Sequence, residues 1–339
     1  MKAAIYPGGG QPLTIETLPD PQPGPNEVLI EVHRCGICGT DLSMTKGEAW
    51  DYGSNVQLGH EYAGRVIEVG SKVSDYKVGD SIAVLPSAAC GECAACRSHG
   101  NVILCQSRIG SAMFGFSELA AVPVAAATRL PSTLSMADGA LVEPLAVSLY
   151  GVRLAHITPG DPVLVLGGGT VALYAIYWAR RLGAGRIVAM SRSPRREALA
   201  LAMGADKFIA YGDNEVAEVQ EALGGAPTLV LECVGAEGML SKAVNHVAPF
   251  GKVMSLGFCM APDPVIPAIA SYKCASLQFA VGYSLREFLY IAEQMDKGHC
   301  DPKAIISSEV SLDELPDAFA ALRGPNTDTK VHVCCSHDC

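Results

Sequence analysis

Four cysteines in one short segment constrain the fold of this chain more than any other feature. Cys90, Cys93, Cys96 and Cys105 lie in the sequence CGECAACRSHGNVILC. Spacers of two residues allow successive sulfur atoms to converge on one ion, and a more distant fourth cysteine can close the coordination shell, as in structural zinc sites. Three cysteines at this spacing also begin iron–sulfur motifs, although the fourth lacks the usual cluster context. We therefore predict a closed metal site and favour zinc.

A second set of potential metal ligands is scattered along the chain. It consists of Cys38, His60, Glu61 and Glu143. One thiolate and one carboxylate would neutralise a divalent ion, an imidazole would add a neutral ligand, and an open position would remain for a substrate oxygen. Taken singly, each residue has a simpler explanation, as a core histidine, a buried thiol or a carboxylate at a helix start. Their joint occurrence favours an open metal site and therefore an enzyme.

Composition narrows the class of protein. With 339 residues and 49% hydrophobic composition, the chain can bury a large core and is long enough for about two domains. Its net charge of -10 and the absence of a basic block argue against nucleic acid or an anionic membrane as a partner. No segment has the apolar length of a signal sequence or a spanning helix, so we expect a cytoplasmic protein whose 13 cysteines are reduced rather than paired in disulfides.

The rhythm of the sequence changes near residue 149. Before it, short alternating runs such as VLIEVH (28–33), GRVIEVG (64–70) and DSIAVL (80–85) predict a sheet-rich domain with long loops. After it, apolar runs such as VLVLG (163–167) alternate with helical stretches, which is typical of a doubly wound parallel sheet. The fold class is therefore α/β. We predict domains over residues 1–148 and 149–282.

A glycine-rich turn follows the first of these apolar runs. Gly167, Gly169 and Ala172, together with Thr170 and Val171, form G-x-G-x-x-A between a predicted strand and a predicted helix. The glycines permit a tight turn and the close approach of a pyrophosphate, whose charge the helix N-terminus would meet. A glycine triplet alone is more often an ordinary turn, but this placement predicts a dinucleotide site.

The end of the second strand of that unit indicates which nucleotide is bound. About 20 residues after the first glycine, an NAD enzyme carries an acid for the ribose hydroxyls. Here the position is Ser191, followed by Arg192, Arg195 and Arg196, which could bind a 2′-phosphate. We therefore favour NADP(H) over NAD(H), although the arginines could simply be a solvated helix start. The predicted cofactor-binding residues also include Val234 and Gly257.

Five motifs, in order along nearly the whole chain, carry a family resemblance. They are CGICGTD (35–41), GHEYAGRVIEVG (59–70), the four-cysteine loop, EPLAVSLYGV (143–152) and VLVLGGGTVAL (163–173). Together they resemble the zinc-containing medium-chain alcohol dehydrogenases, in the branch of the threonine, sorbitol and secondary-alcohol dehydrogenases. The resemblance implies a GroES-like catalytic domain, to which residues 283–339 return, and a Rossmann domain. It also implies two zinc ions per subunit and a homodimer or homotetramer.

Carried over by position, the resemblance implies roles for individual residues. Cys38 and His60 would bind the catalytic zinc, with Glu61 and Glu143 as direct or exchangeable ligands. Asp41 would orient the His60 ring from behind. Thr40 would take the proton of the alcohol. Ser43 stands where many relatives carry a histidine that completes the proton relay.

The substrate is expected to be a small alcohol, with its ketone as product. Met44, Trp50, Met113, Phe114 and Tyr283 are candidates to line an apolar pocket. An apolar secondary or cyclic alcohol is preferred over a polyol or threonine oxidised with NAD(H). A zinc-independent reductase and a catalytically inactive nucleotide-binding relative remain as alternatives.

The C-terminal tail offers a less specific pattern. Its cysteines and histidines are His332, Cys334, Cys335, His337 and Cys339. They could form a third metal site, but a final strand with a frayed end is the simpler interpretation.

Overall fold

The computed structural model describes residues 1–48 and 50–336. The strands are β1 Lys2–Tyr6, β2 Thr14–Thr17, β3 Glu27–Gly36, β4 Val56–Gln57, β5 Glu61–Val69, β6 Ser81–Val84, β7 Ser87–Ala88, β8 Gly110–Ser111, β9 Leu119–Pro123, β10 Ala127–Arg129, β11 Val163–Leu166, β12 Ile187–Ser191, β13 Lys207–Ala210, β14 Leu229–Glu232, β15 Lys252–Ser255, β16 Ser276–Phe279, β17 Ile306–Ser311 and β18 Lys330–Cys334. The α-helices are α1 Gly39–Ser43, α2 Ala94–His99, α3 Met136–Ala155, α4 Thr170–Arg181, α5 Glu197–Ala202, α6 Glu215–Leu223, α7 Met239–His246, α8 Pro267–Tyr272, α9 Leu285–Asp296 and α10 Leu315–Leu322. Short 3-10 helices cover Val124–Ala126, Pro194–Arg196 and Lys303–Ile305.

The chain forms two compact units. One contains Met1–Glu143 and the residues from Tyr283 onward, and the other contains Pro144–Gly282. The division therefore falls within α3, five residues before the boundary predicted after residue 148. Among the described residues, no helix combines the length and the apolar character needed to cross a membrane.

The first unit is built on strands from both ends of the chain. Its largest sheet has the order β10-β6-β5-β3-β18-β17, and β9 also pairs with β3. Smaller sheets have the orders β2-β1-β4 and β7-β8. The C-terminal strand β18 pairs with β3 in antiparallel fashion, so His332 lies opposite Gly36. On the other side of β3, Gly36 lies opposite Glu61 of β5. This register places β18 close to two predicted metal ligands, Glu61 opposite Gly36 and Cys38 just after Gly36.

The second unit has a parallel sheet of order β13-β12-β11-β14-β15-β16. The central strands β11 and β14 are buried along their whole length, which explains the apolar sequence of β11 and of the first three residues of β14. Leu164, Leu166, Val188, Val230 and Val253 belong to one hydrophobic core, which α6 and α7 help to cover. The strand order changes direction on either side of β11, where a doubly wound sheet binds its ligands. The α/β fold class predicted from the sequence is confirmed.

The described part of the tail begins in a strand, as the simpler interpretation predicts. β18 runs to Cys334, and His332 and Cys335 are both buried. Within the described residues, neither of them joins a group of potential metal ligands. His337 and Cys339 lie outside the described residues.

Candidate functional site

The short helix α1 places Cys38 and Asp41 at one end of the first unit's main sheet. Cys38 is the N-cap residue, its Sγ accepts a hydrogen bond from the Thr40 N–H at 3.5 Å, and its own N–H donates to Asp41 Oδ2 at 3.2 Å. Asp41 is fully buried, and its Oδ1 lies 3.2 Å from His60 Nδ1, within ion-pair distance although not aligned as a hydrogen bond. Asp41 therefore fixes both the Cys38 backbone and the His60 ring.

Three predicted ligands come together in this unit. One ligand atom from each of Cys38, His60 and Glu61 lies within 4.8 Å of the others. Burial disfavours a charged His60 ring, but the negative charges of Asp41 and Cys38 outweigh it and raise the pKa of His60 well above its ordinary value. A thiolate, an imidazole and a carboxylate that lie together beside the negative charge of Asp41 form a donor set that fits a zinc ion.

A buried lysine, which the sequence analysis missed, contacts this group. Lys330 Nζ makes an ion pair with Glu61 Oε2 and donates a hydrogen bond to the Ile37 carbonyl at 3.0 Å. Only 2% of each side chain of the Lys330–Glu61 pair is exposed. Burial acts to lower the pKa of Lys330, but Glu61 and Cys38 outweigh it and raise that pKa. Lys330 therefore provides a fixed positive charge behind the Glu61 carboxylate.

Glu143 is placed differently from Glu61. It lies within α3 rather than at a helix start, and its carboxylate is not part of the 4.8 Å ligand group found among the described residues. Its Oε1 accepts a hydrogen bond of 2.7 Å from the buried Tyr283 hydroxyl. Burial raises the pKa of Glu143 to about 7, with Glu61 adding to the shift and His60 opposing it. The structure thus leaves Glu143 near the ligand group but held by another residue.

A cavity of 610 Å³ lies in the first unit. Its wall includes Met113 and Phe114, two of the predicted pocket residues, and also Tyr52. The predicted pocket residue Tyr283 is instead buried against Glu143, while Trp50 is 57% exposed. Burial raises the pKa of Tyr52, and the negative charge of Asp41 adds to this effect, so the phenol keeps its proton. Tyr52 therefore lines this cavity and is also close enough to Asp41 for the charge of that residue to affect it.

The four-cysteine loop forms a second ligand group. The sulfur of Cys96 lies 3.9 Å from that of Cys90 and 3.5 Å from that of Cys93, and Cys105 lies 3.5 Å from Cys90. Sulfur ligands about 2.3 Å from a tetrahedral zinc ion are about 3.8 Å apart, whereas a disulfide needs about 2.05 Å. The backbone N–H of Gln106 helps to lower the pKa of Cys93 to about 6. The geometry fits a closed thiolate site.

The glycine-rich turn of the second unit connects β11 to α4. Gly167 follows β11 with φ of +124°, and Gly169 is the N-cap of α4. A side chain on Gly167 would crowd Ala172, whereas nothing lies within 4 Å of the position a Cβ would take on Gly169. The turn therefore combines a tight bend, close packing and open space at a helix N-terminus, which suits a pyrophosphate.

The predicted 2′-phosphate residues lie beside this turn. Ser191 is the last residue of β12, and a Cβ on Gly168 would lie 3.4 Å from its Oγ and 3.2 Å from Cγ of Arg196. Arg192, the residue after Ser191, is exposed. Ser191 and Arg196 are therefore close to the turn. Thr170 and Val171 begin α4 at the same place.

A buried carboxylate, also missed by the sequence analysis, organises the loops after β14 and β15. Glu232 Oε1 accepts hydrogen bonds from the N–H groups of Val234 at 2.6 Å and Gly235 at 2.8 Å. Its Oε2 accepts a hydrogen bond from Ser255 at 2.9 Å. A Cβ on Gly257 would lie 2.1 Å from the Gly235 nitrogen, so both loops depend on glycine for their close approach. Glu232 thereby holds Val234 and Gly257 at the carboxyl edge of the sheet.

Comparison with known proteins places the chain in a family. Residues 24–132 match the alcohol dehydrogenase GroES-like domain, and residues 170–295 match the zinc-binding dehydrogenase domain. The chain is 28% identical to an L-threonine 3-dehydrogenase of Rhizobium etli (strain CIAT 652), with 98% of each chain covered. It is 30% identical to the (R,R)-butanediol dehydrogenase of Bacillus subtilis (strain 168), over 98% of this chain and 99% of the relative.

A solved structure agrees with this assignment. The crystal structure of a protein described as a zinc-binding dehydrogenase from Sinorhizobium meliloti 1021, bound to NADP, is 30% identical. It superposes with a TM-score of 0.87 over 98% of each chain. Both the sequence and the fold match over nearly the full length. The chain therefore belongs to the zinc-containing medium-chain alcohol dehydrogenases, a family of oxidoreductases that act on CH–OH groups.

Proposed function

We propose that this protein is a zinc-dependent, NADP(H)-linked dehydrogenase that interconverts a small apolar alcohol, secondary or cyclic, and its ketone. The observation that carries the proposal is the buried group of Cys38, His60 and Glu61, whose ligand atoms lie within 4.8 Å of one another. In this proposal Cys90, Cys93, Cys96 and Cys105 hold a second, structural zinc ion. Metal analysis should find two zinc ions per chain, and a chelator that removes one of them should abolish turnover. A protein that binds the nucleotide and both ions but oxidises no alcohol would be an inactive relative.

The residues around the proposed catalytic ion have different roles in the reaction. Zinc held there would supply a Lewis acid that lowers the pKa of a bound alcohol and polarises a ketone. Cys38 and Glu61 bring negative charge to the ligand group, and Asp41 fixes the His60 ring. Thr40 and Ser43 lie on α1 directly after the Cys38 ligand and are both partly exposed, so their hydroxyls can pass a proton towards solvent.

Replacing Thr40 with alanine should lower turnover about a hundredfold, because a positioned proton acceptor contributes that much or more. Zinc content should stay unchanged, since the Thr40 hydroxyl is not among the ligands. Thr40→Ser, which keeps the hydroxyl, is the matched control and should retain most of the activity. Steady-state kinetics and metal analysis on both variants provide the measurement. Equal activity of Thr40→Ala and Thr40→Ser would remove Thr40 from the mechanism.

The preference for NADP(H) is supported by the residues at the end of β12. Ser191 stands where a carboxylate would repel a 2′-phosphate, and Arg196 lies close to the glycine-rich turn. Arginine binds phosphate through a planar fork of N–H donors. The NADP in the Sinorhizobium meliloti relative agrees with this preference without deciding it for this chain.

The double variant Arg192→Ala/Arg196→Ala should weaken NADPH binding about tenfold or more while changing NADH binding less than twofold, because only NADPH carries the 2′-phosphate. Arg181→Ala is the matched control. Arg181 is the last residue of α4, which has 12 residues, so it lies about 18 Å along the helix from the glycine-rich turn. Fluorescence titration with each nucleotide measures both affinities. Tighter NADH binding by the unaltered protein would contradict the proposed preference.

The substrate preference rests on the walls of the 610 Å³ cavity. Its apolar lining residues are Ile5, Leu18, Val56, Met113 and Phe114, beside the ring of Tyr52. Its polar lining residues are Glu16, Asn55, Gln57 and Ser111. The activities for which the relatives are named make threonine and a vicinal diol the main alternatives. A panel with an aliphatic secondary alcohol, a cyclic alcohol, 2,3-butanediol, sorbitol and threonine separates them. The highest kcat/KM for sorbitol or threonine would overturn the apolar preference.

We propose a cytoplasmic homodimer or homotetramer whose only partners are its small-molecule substrate and nucleotide. Size-exclusion chromatography with light scattering measures the subunit number, and a monomer would contradict this expectation.

A further inference from the structure

Tyr283 occupies a strongly constrained position beside Glu143. Its carbonyl accepts a hydrogen bond from the Val102 N–H at 3.0 Å, and the next residue, Ser284, is the N-cap of α9. The ring lies 5.1 Å from that of Phe288, centroid to centroid, and the residue is 1% exposed. These contacts therefore fix the position of Tyr283 independently of its hydrogen bond to Glu143.

The two glutamates near the proposed zinc ion are held by different kinds of group. Glu61 is paired with the positively charged ammonium of Lys330. Glu143 is held through Oε1 by the neutral hydroxyl of Tyr283. The Tyr283 hydroxyl occupies Glu143 Oε1 without adding a positive charge, so it restrains the side chain by position rather than by charge. The Glu143 carboxylate remains outside the 4.8 Å ligand group of the described residues.

We propose that Tyr283 is a positioning residue that keeps Glu143 from completing the coordination of the catalytic zinc, so that the open position stays available to the alcohol. This inference rests on the proposed zinc site at Cys38, His60 and Glu61. The Tyr283 hydroxyl would then decide whether Glu143 or the substrate occupies the open coordination position. Without that hydroxyl, Glu143 Oε1 loses its fixed partner and can turn towards the ion.

Tyr283→Phe tests this role, because it removes the hydroxyl and keeps the ring that packs on Phe288. With Glu143 as an added ligand, zinc affinity should rise about tenfold. The KM for the alcohol should rise by a similar factor, because the alcohol must displace the carboxylate, while kcat should change little. A purely structural role predicts the opposite sign for the metal, since a loosened site binds zinc less tightly.

The measurement uses Co²⁺ exchanged into the Cys38 site while the four-cysteine loop keeps zinc. Competition with a chelator, followed by the thiolate-to-cobalt absorption band, reports affinity without relying on activity. A new ligand should also change the d–d spectrum of Co²⁺. Tyr62→Phe is the matched control, because Tyr62 is equally buried and its hydroxyl has no hydrogen-bond partner among the described residues.

The outcomes distinguish this inference from the proposed function. In a Glu143→Gln background, Tyr283→Phe should no longer change metal affinity. Unchanged or weakened Co²⁺ binding in Tyr283→Phe, with a normal band in the unaltered protein, would overturn only the role of Tyr283. No thiolate-to-cobalt band in the unaltered protein would overturn the zinc site and this inference together. Thermal unfolding of each variant tests whether the fold is retained.

Discussion

Replacing Cys38 with serine is expected to lower kcat/KM at least about a thousandfold, because Lewis-acid stabilisation worth several kcal/mol depends on this ligand. A serine hydroxyl keeps the size of the side chain, but it supplies no thiolate to the ligand group with His60 and Glu61. Zinc content should fall from two ions per chain to one. The four-cysteine loop should keep its ion, since Cys90 and its neighbours belong to a separate group.

The control for Cys38→Ser is Cys35→Ala, three residues earlier in the chain. Cys35 is fully buried in β3 and is not part of either ligand group found in the described residues. Its loss should reduce stability slightly by leaving a small cavity, with both zinc ions and turnover retained. Inductively coupled plasma mass spectrometry and steady-state kinetics measure the two effects. Two zinc ions in Cys38→Ser, or loss of one in Cys35→Ala, would contradict the assignment of the ligand.

The ligand group illustrates what spacing in a sequence can predict. Cys38 and Asp41 lie in one motif, and His60 and Glu61 are adjacent in another, so chemistry and order along the chain identify them. The four-cysteine loop is local for the same reason. The buried partners of the glutamates are different, because Lys330 is 269 residues from Glu61 and Tyr283 is 140 residues from Glu143. Only the folded chain brings them together, through the strands β18 and β5 for Lys330 and Glu61 and through the helix α3 and the segment before α9 for Glu143 and Tyr283.

The same distinction applies to the fold. The continuous apolar run VLVLG predicted the strand β11, because both faces of a central parallel strand are buried. The pairing of β18 with β3 joins the two ends of the first unit, and no local pattern specifies its register. That register decides that Lys330 reaches Glu61. Glu232 was missed for a related reason, since a single acid at a strand end does not reveal that it binds the loops after β14 and β15.

Replacing Lys330 with methionine is expected to lower the midpoint of thermal unfolding by about 10 °C. Removing one partner of a buried ion pair leaves the other charge uncompensated, which costs about 3–5 kcal/mol. Methionine preserves most of the volume, so the loss is one of charge rather than of packing. The double variant Lys330→Met/Glu61→Gln should recover most of the midpoint, because it removes the unpaired carboxylate as well.

Lys2→Met is the matched control, because Lys2 pairs with Asp313 at the surface, where 46% and 62% of the two side chains are exposed. A solvated pair contributes at most about 1 kcal/mol, so that variant should unfold close to the unaltered protein. Equal midpoints for Lys330→Met and Lys2→Met would show that the buried pair does not stabilise the fold.

The metal gives a further test of the same ion pair. Zinc at the Cys38–His60–Glu61 group would offer Glu61 a second positive partner, and a ligand that binds only the folded state raises its stability. Added zinc should therefore raise the midpoint more in Lys330→Met than in the unaltered protein. An equal rise in both proteins would mean that the Glu61–Lys330 ion pair does not compete with the binding of zinc by Glu61. The size of the difference thus measures how strongly one carboxylate links folding to the proposed metal site.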